Sequence, residues 1–205
     1  MESDVGVEHV IEAIRAGLPV LLPTDTVYGL VASAEREEYA SRAYRLKGRS
    51  ETQPTALLAG DLDSLLRAVP ELRGRAEVIL NELLPGPYTL VLPNPARRFR
   101  WLTGVRPDAI GVRVPDLPEA SRRVLDAVSC VMATSANDPG GPNPVSLDDV
   151  PQRIRDAVAA ALDLGPLPGT PSTVIDFTSD EPFVIRDGAA PAAEALARVR
   201  SALAA

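Results

Sequence analysis

The chain has 205 residues, 45% of them hydrophobic and only 4% aromatic, and a net charge of −7. That length can bury a sizeable core, and the acidic balance argues against nonspecific binding to nucleic acid or to an anionic membrane as the main task. A single cysteine, Cys130, and a single histidine, His9, exclude an internal disulfide framework and a Cys/His zinc site.

No stretch reaches 18 consecutive apolar residues, so no membrane span is expected. The first residues, "MESDVGVEHV", are acidic and lack the basic start of a signal peptide, so the expected location is cytoplasmic. Val7, Val10, Ile11 and Ile14 recur at helical spacing and Gly17 stops the run. "PVLLP" reads as a buried strand, and "EREEYASRAYRLKG" as a helix ending near Gly48. A short strand, "TALLAG", leads to Asp61, which suits the N-cap of "LDSLLRAV". After Pro70 the spacing predicts a helix over 71–84, stopped by Pro85-Gly86-Pro87. Strands follow at "YTLVLP" and "IGVRVP", a helix at 117–128, and a strand running into a loop at "SCVMATSA". Residues 137–150 read as a Pro/Gly/Asn loop with a capped helix start, and 152–162 as helix. "STVIDF" and "FVIRDG" read as a hairpin, and 191–205 as a final helix. Interleaved strands and helices with two adjacent late strands predict an α/β domain on a mixed sheet.

Polar groups collect where strands end, and in an open α/β sheet that is where ligands bind. Thr24, Asp25 and Thr26 follow a buried strand; they form either a turn or cap or the lip of a site. Lys47 and Arg49 close a helix, where cations complement the dipole, and the same pair would clamp an anion. Arg113 lies inside an apolar strand, so it needs an internal carboxylate or a ligand cavity. Thr134, Ser135 and Asn137 run into a Gly/Pro-rich loop that has neither the Walker nor the GxGxxG spacing. Ser172, Thr173 and Arg186 add polar strand ends later on. No carboxylate pair, metal cluster or nucleophile–base couple emerges. Cations and hydroxyls dominate, which suits phosphoryl or nucleotidyl transfer by positioning and charge neutralisation.

In this order, "PTDTVYGL", "YRLKGR", "LLPGPYTLVLP", "IGVRVP", "TSAN", "STVIDF" and "VIRDG" resemble the YrdC-like family of threonylcarbamoyl-AMP synthases, over nearly the whole chain. The resemblance implies an α/β fold: an open, twisted mixed sheet with flanking helices around a concave cavity. It further implies a single domain over residues 1–205, of the short branch that lacks a further C-terminal domain. The implied reaction joins L-threonine and bicarbonate into a carbamate, which attacks the α-phosphate of ATP to give threonylcarbamoyl-AMP and pyrophosphate. A separate transferase complex would then modify the adenosine beside the anticodon of ANN-decoding tRNAs, with weak or no direct tRNA binding by this chain.

Carried over by motif, Lys47 and Arg49 are the K-x-R pair, catalytic and facing the phosphates. Gln53, Ser135, Asn137, Asn143 and Arg186 join them on the ATP side. Thr26, Leu58, Arg113, Ala133 and Ser172 fall on the threonine side. No protein metal site is implied; Mg²⁺ would be held mainly by ATP phosphate oxygens. The pattern departs from the family in places. Ser50 and Gln53 stand where Pro and Asn are frequent, and Leu58 where some members have His. Ala109 takes the place of a usual hydroxyl, and Pro139 replaces a hydroxyl in the S-A-N loop and removes a backbone donor. A family member adenylating another carbamate, and a nucleotide- or RNA-binding module without turnover, are the alternative readings.

Overall fold

A computed structural model of the chain describes residues 2–204. Met1 and Ala205, at the two ends of the expected domain, lie outside them. The elements are α1 (Glu2–Arg15), β1 (Val20–Pro23), β2 (Tyr28–Ser33), α2 (Glu37–Lys47), β3 (Ala56–Ala59), α3 (Leu62–Ala68), α4 (Arg75–Leu83), β4 (Tyr88–Pro93), β5 (Ala109–Arg113), α5 (Glu119–Val128), β6 (Cys130–Ser135), α6 (Gln152–Arg155), β7 (Ala160–Ala161), β8 (Thr173–Asp176), β9 (Phe183–Arg186) and α7 (Ala192–Ala204). The nine strands form one mixed sheet in the order β7-β1-β2-β6-β3-β5-β4-β8-β9. Strands on both sides of the 137–144 loop share that sheet, and β8 and β9 form the expected antiparallel hairpin.

Alternating side chains give the sheet two faces. Leu30, Leu57, Leu90, Val112, Met132 and Ile175 point to one, with Leu65, Leu80 and Val199 from the helices packed in the same core. Val20, Leu22, Val31, Leu58 and Val131 point to the other, with Val10, Ile14, Val124 and Leu125 of α1 and α5. The second face is covered over only part of its width. The remainder carries small or polar side chains and stays open.

Local signals decide several helix ends. Gly17 and Gly48 both adopt left-handed φ of 70°, which a glycine takes without a Cβ clash. At the end of α2 the Gly48 N–H donates to Arg45 O and the Arg49 N–H to Tyr44 O (2.9 Å), closing the helix with a reversal between Lys47 and Arg49. Asp61 caps α3 as expected, accepting from the Ser64 N–H at 2.6 Å.

Three sequence expectations are corrected. The helix expected over 71–84 is split: Pro70–Leu72 is a 3₁₀ turn, and α4 begins after Gly74, whose φ of +80° breaks the run. The helix start expected near Ser146 is a turn, in which the Asp149 carboxylate accepts from the Val145 and Ser146 N–H groups; α6 begins after Pro151. The helix expected over 152–162 lasts one turn, and Ala160–Ala161 pairs parallel with Val20–Leu21. The Ala159 N–H donates to Pro19 O and the Leu162 N–H to Leu21 O. The open edge of β1 overrides the helix preference of the alanines.

Candidate functional site

The uncovered part of the second face forms the floor of a cavity of about 350 Å³. Ala56, Ala109, Gly111 and Ala133 occupy floor positions where larger residues would fill the space. A Cβ added at Gly111 would meet nothing nearer than 3.8 Å. Side chains this small leave room for a ligand on a face that is otherwise core, within the size range of small-molecule sites.

At one end of the cavity stands Arg113, the last residue of β5. Its Nη2 donates to Asp25 Oδ1 at 2.7 Å, and the two side chains are 11% and 8% exposed. The two possibilities for this arginine therefore coincide: it meets an internal carboxylate and also lines the cavity. Among the described residues, Asp25 Oδ2 and Arg113 Nε are buried without a protein partner. Burial pushes the Asp25 carboxyl up, with Arg113 pulling the other way, and burial lowers the Arg113 guanidinium. The Thr24 hydroxyl donates to Val27 O at 2.8 Å, closing the β1–β2 turn, while Thr26 Oγ1 donates to Asp25 Oδ1 at 3.3 Å. Across the sheet, Arg186 on β9 donates to Ser172 O (2.8 Å) and Ser172 Oγ (3.1 Å), and Ser172 Oγ lies 2.8 Å from Thr89 Oγ1. Burial, and then Arg113, lower the Arg186 guanidinium.

At the other end Arg49 emerges from the reversal after α2. Its Nη2 donates to Pro54 O at 2.6 Å and its Nη1 to Thr134 Oγ1 at 3.4 Å, with Nε buried and unpartnered among the described residues. The β3 register sets the spacing between the two ends. Arg113 is paired with Leu58, and Thr134 lies next to Ala133, which is paired with Ala56. Two to three residues of strand make this offset roughly 7–10 Å along the sheet. Arg106 shares the Arg49 end. Its Nη1 donates to Asp176 Oδ2 at 2.7 Å and its Nη2 to Thr178 Oγ1 at 2.9 Å.

Lys47 does not line the cavity, although it bonds to Ser135, next to the Thr134 that Arg49 reaches. It is 3% exposed, and its ammonium donates to the Ser135 carbonyl, to Asn137 Oδ1 at 2.8 Å and to Ser135 Oγ at 3.3 Å. Burial, reinforced by Arg49, lowers its pKa to about 8. Asn137 is held on both sides, since its Oδ1 also accepts from Ser135 Oγ and its Nδ2 donates to Gly141 O.

Thr26, Arg49, Arg113, Ala133, Ser135, Asn143, Ser172 and Arg186 are thus brought together around one cavity. Lys47 and Asn137 stand behind its wall and brace the Ser135 segment. Two expected site residues are misplaced. Leu58 is fully buried in the core beneath α1 and α5, because helices cover the sheet where its side chain points. Gln53 is exposed on the turn before β3 and does not line the cavity. Sequence reading missed Thr103 and Arg106. Arg106 sits among Arg97, Arg98 and Arg100, and only its pairing with Asp176 sets it apart. No three His, Cys, Asp or Glu side chains cluster as metal ligands among the described residues.

The Sua5/YciO/YrdC family model, described as telomere recombination, matches residues 12–188. The threonylcarbamoyl-AMP synthase of Pyrococcus abyssi is 34% identical over 182 residues, covering 88% of this chain and 53% of that protein. A Mycobacterium tuberculosis relative is 32% identical over 184 residues, covering 89% of this chain and 84% of its own. The crystal structure of P. abyssi Sua5 complexed with L-threonine superposes with a TM-score of 0.85 at 32% identity, over 94% of this chain and 56% of that one. The chain therefore spans about half the length of the P. abyssi protein and most of the mycobacterial one.

Proposed function

The chain belongs to the Sua5/YciO/YrdC family, and from that membership we propose that it makes threonylcarbamoyl-AMP from L-threonine, bicarbonate and ATP. The observation that carries this reading is a cavity with a cation site at each end. One end suits a carboxylate and the other a phosphate chain. A floor of small residues between them leaves space for the reacting groups.

In this reading Arg113, oriented by Asp25, takes the threonine carboxylate, with Ser172 and Arg186 beside it. Thr26 and Ala133 shape the wall around the amino acid. Arg49 receives the phosphates, while Ser135 and Asn143 line the nucleotide end. Lys47 acts on the nucleotide end from behind, by fixing the Ser135–Asn137 segment. The amine nitrogen of threonine bonds to the bicarbonate carbon, a C–O bond breaks, and water leaves with a proton from the nitrogen, giving a carbamate. A carbamate oxygen bonds to the α-phosphorus, the bond to the bridging oxygen breaks, and pyrophosphate leaves with the electron pair. Positioned guanidinium groups stabilise the charge that develops on the phosphates. Magnesium enters with the nucleotide: the cavity is lined by guanidiniums, and the carboxylates bonded to them, Asp25 and Asp176, are tied to Arg113 and Arg106. The product passes to a separate transferase complex that acts on tRNA. With a net charge of −7, the chain itself binds tRNA weakly or not at all.

The test is pyrophosphate release with threonine and bicarbonate each left out in turn. Release is expected only with both present. Release that ignores threonine overturns the substrate assignment, and release with another amino acid in its place identifies a different carbamate.

A further inference from the structure

We propose that Arg106 is a second guanidinium for the nucleotide's phosphate chain, alongside Arg49, and that it holds the pyrophosphate as that group leaves; this rests on the reading of the cavity as an adenylating site. Three observations support it.

The first is the manner in which Arg106 is held. Asp176 is fully buried at the end of β8 and already accepts from the Thr178 N–H (2.8 Å) and hydroxyl (2.5 Å). Arg106 adds one N–H to Asp176 and one to Thr178 Oγ1, which leaves three of its five N–H groups. The side chain is 50% exposed, and it lines the cavity. A guanidinium anchored on its inner side and open on its outer side is a preorganised fork for an anion.

The second is its position. Leu102 O accepts from the Thr55 N–H at 2.8 Å, and Ala109, the first residue of β5, donates its N–H to Arg106 O at 3.0 Å. Both bonds place Arg106 at the Arg49 end of the sheet, away from Arg113.

The third is a close approach of two backbones. Gly104 has φ of +59°, and a Cβ there would lie 2.4 Å from Thr52 O and 2.9 Å from Pro54 N. The glycine lets the loop carrying Arg106 press against the turn whose Pro54 carbonyl holds Arg49. The two guanidiniums are thus mounted on touching segments and face one cavity. When the bond between the α-phosphorus and the bridging oxygen breaks, its electron pair stays on the pyrophosphate, the group these two cations would share.

The test is calorimetric binding of inorganic pyrophosphate and of tripolyphosphate to the full chain, with R106Q/D176N and R106K as variants. The double variant removes the guanidinium together with the carboxylate it neutralises, so no buried charge is stranded. Binding is expected to weaken at least about tenfold in R106Q/D176N, the loss of one or two charge-assisted hydrogen bonds. A smaller loss is expected in R106K, which keeps the charge without the fork. Threonine binding is expected to stay unchanged in both. Pyrophosphate binding within about twofold of the parent chain in a folded variant overturns the proposal, as does equal weakening of threonine binding. Should the double variant not fold, R106K decides alone, because it leaves Asp176 neutralised. A parent chain that binds neither probe also overturns it. A parent chain that binds pyrophosphate but forms none from threonine and bicarbonate removes the reaction while leaving Arg106 as a phosphate contact.

Discussion

Asp25 and Arg113 each depend on the other, because either one left alone would be a charge in a largely dry setting. Asp25→Ala is expected to cost about 3 kcal/mol in urea unfolding. Asp25→Ala combined with Arg113→Met should cost clearly less than the two single losses added together; strictly additive losses would show that the pair is uncoupled. Lys47 gives a pH dependence with a definite sign. Its folded pKa of about 8 lies below the ordinary 10.5. Between those values the unfolded chain binds more protons, so this group adds stability as pH rises through that window. Turnover should move the other way. Above about pH 8 the amine is neutral and no longer donates to all three of its acceptors on Ser135 and Asn137. Pyrophosphate release measured beside the urea midpoint across this range should fall while the Lys47 contribution to stability grows. A rate that stays flat well above pH 8 contradicts the bracing role. Sequence reading found Lys47 through its spacing to Arg49, but not its direction. Of the two cations flanking the left-handed Gly48, Lys47 is buried against Ser135 and Asn137 and Arg49 lines the cavity.

The strand pattern was readable in "VLLP" and "YTLVLP", where apolar residues are dense, but not in Tyr28–Ser33, a fully buried strand that follows the Thr-Asp-Thr turn. It was not readable at Ala160–Ala161, which is a strand only because β1 has a free edge. Which half of a face the helices cover was equally hidden: Leu58, placed on the threonine side by the family motif, lies beneath α1 and α5. The cavity floor leads to its own expectation. Gly111 lies in β5 and lines the cavity, a Cβ there would meet only ordinary contacts at 3.8 Å, and valine favours strands. Gly111→Val should therefore leave the unfolding free energy within about 1 kcal/mol of the parent chain, while pyrophosphate release falls at least about tenfold. A stable variant with full activity would show that the ligand does not lie over β5.

Strand order in the sheet departs widely from chain order, and the cavity inherits that mixing. Its lining comes from residues 24–29, 49–56, 89–91, 103–113, 133–143, 171–174 and 185–186. The general architecture could be foreseen from alternating elements and from motifs spread along the chain, whereas the meeting of those motifs depends on strand pairings that no local pattern encodes. No short fragment of the chain builds the Arg113 end, since Arg113 lies in the middle of the sequence and its neighbours Asp25 and Arg186 lie toward opposite termini. A ligand spanning the cavity consequently fastens distant parts of the polypeptide to one another. Occupancy adds RT ln(1 + [L]/Kd) to the stability of the entire sheet rather than of one corner of it. Protection from heat or protease by nucleotide or amino acid thus becomes a measure of global integrity, and a nick in any one of these segments weakens the grip on both ligands at once.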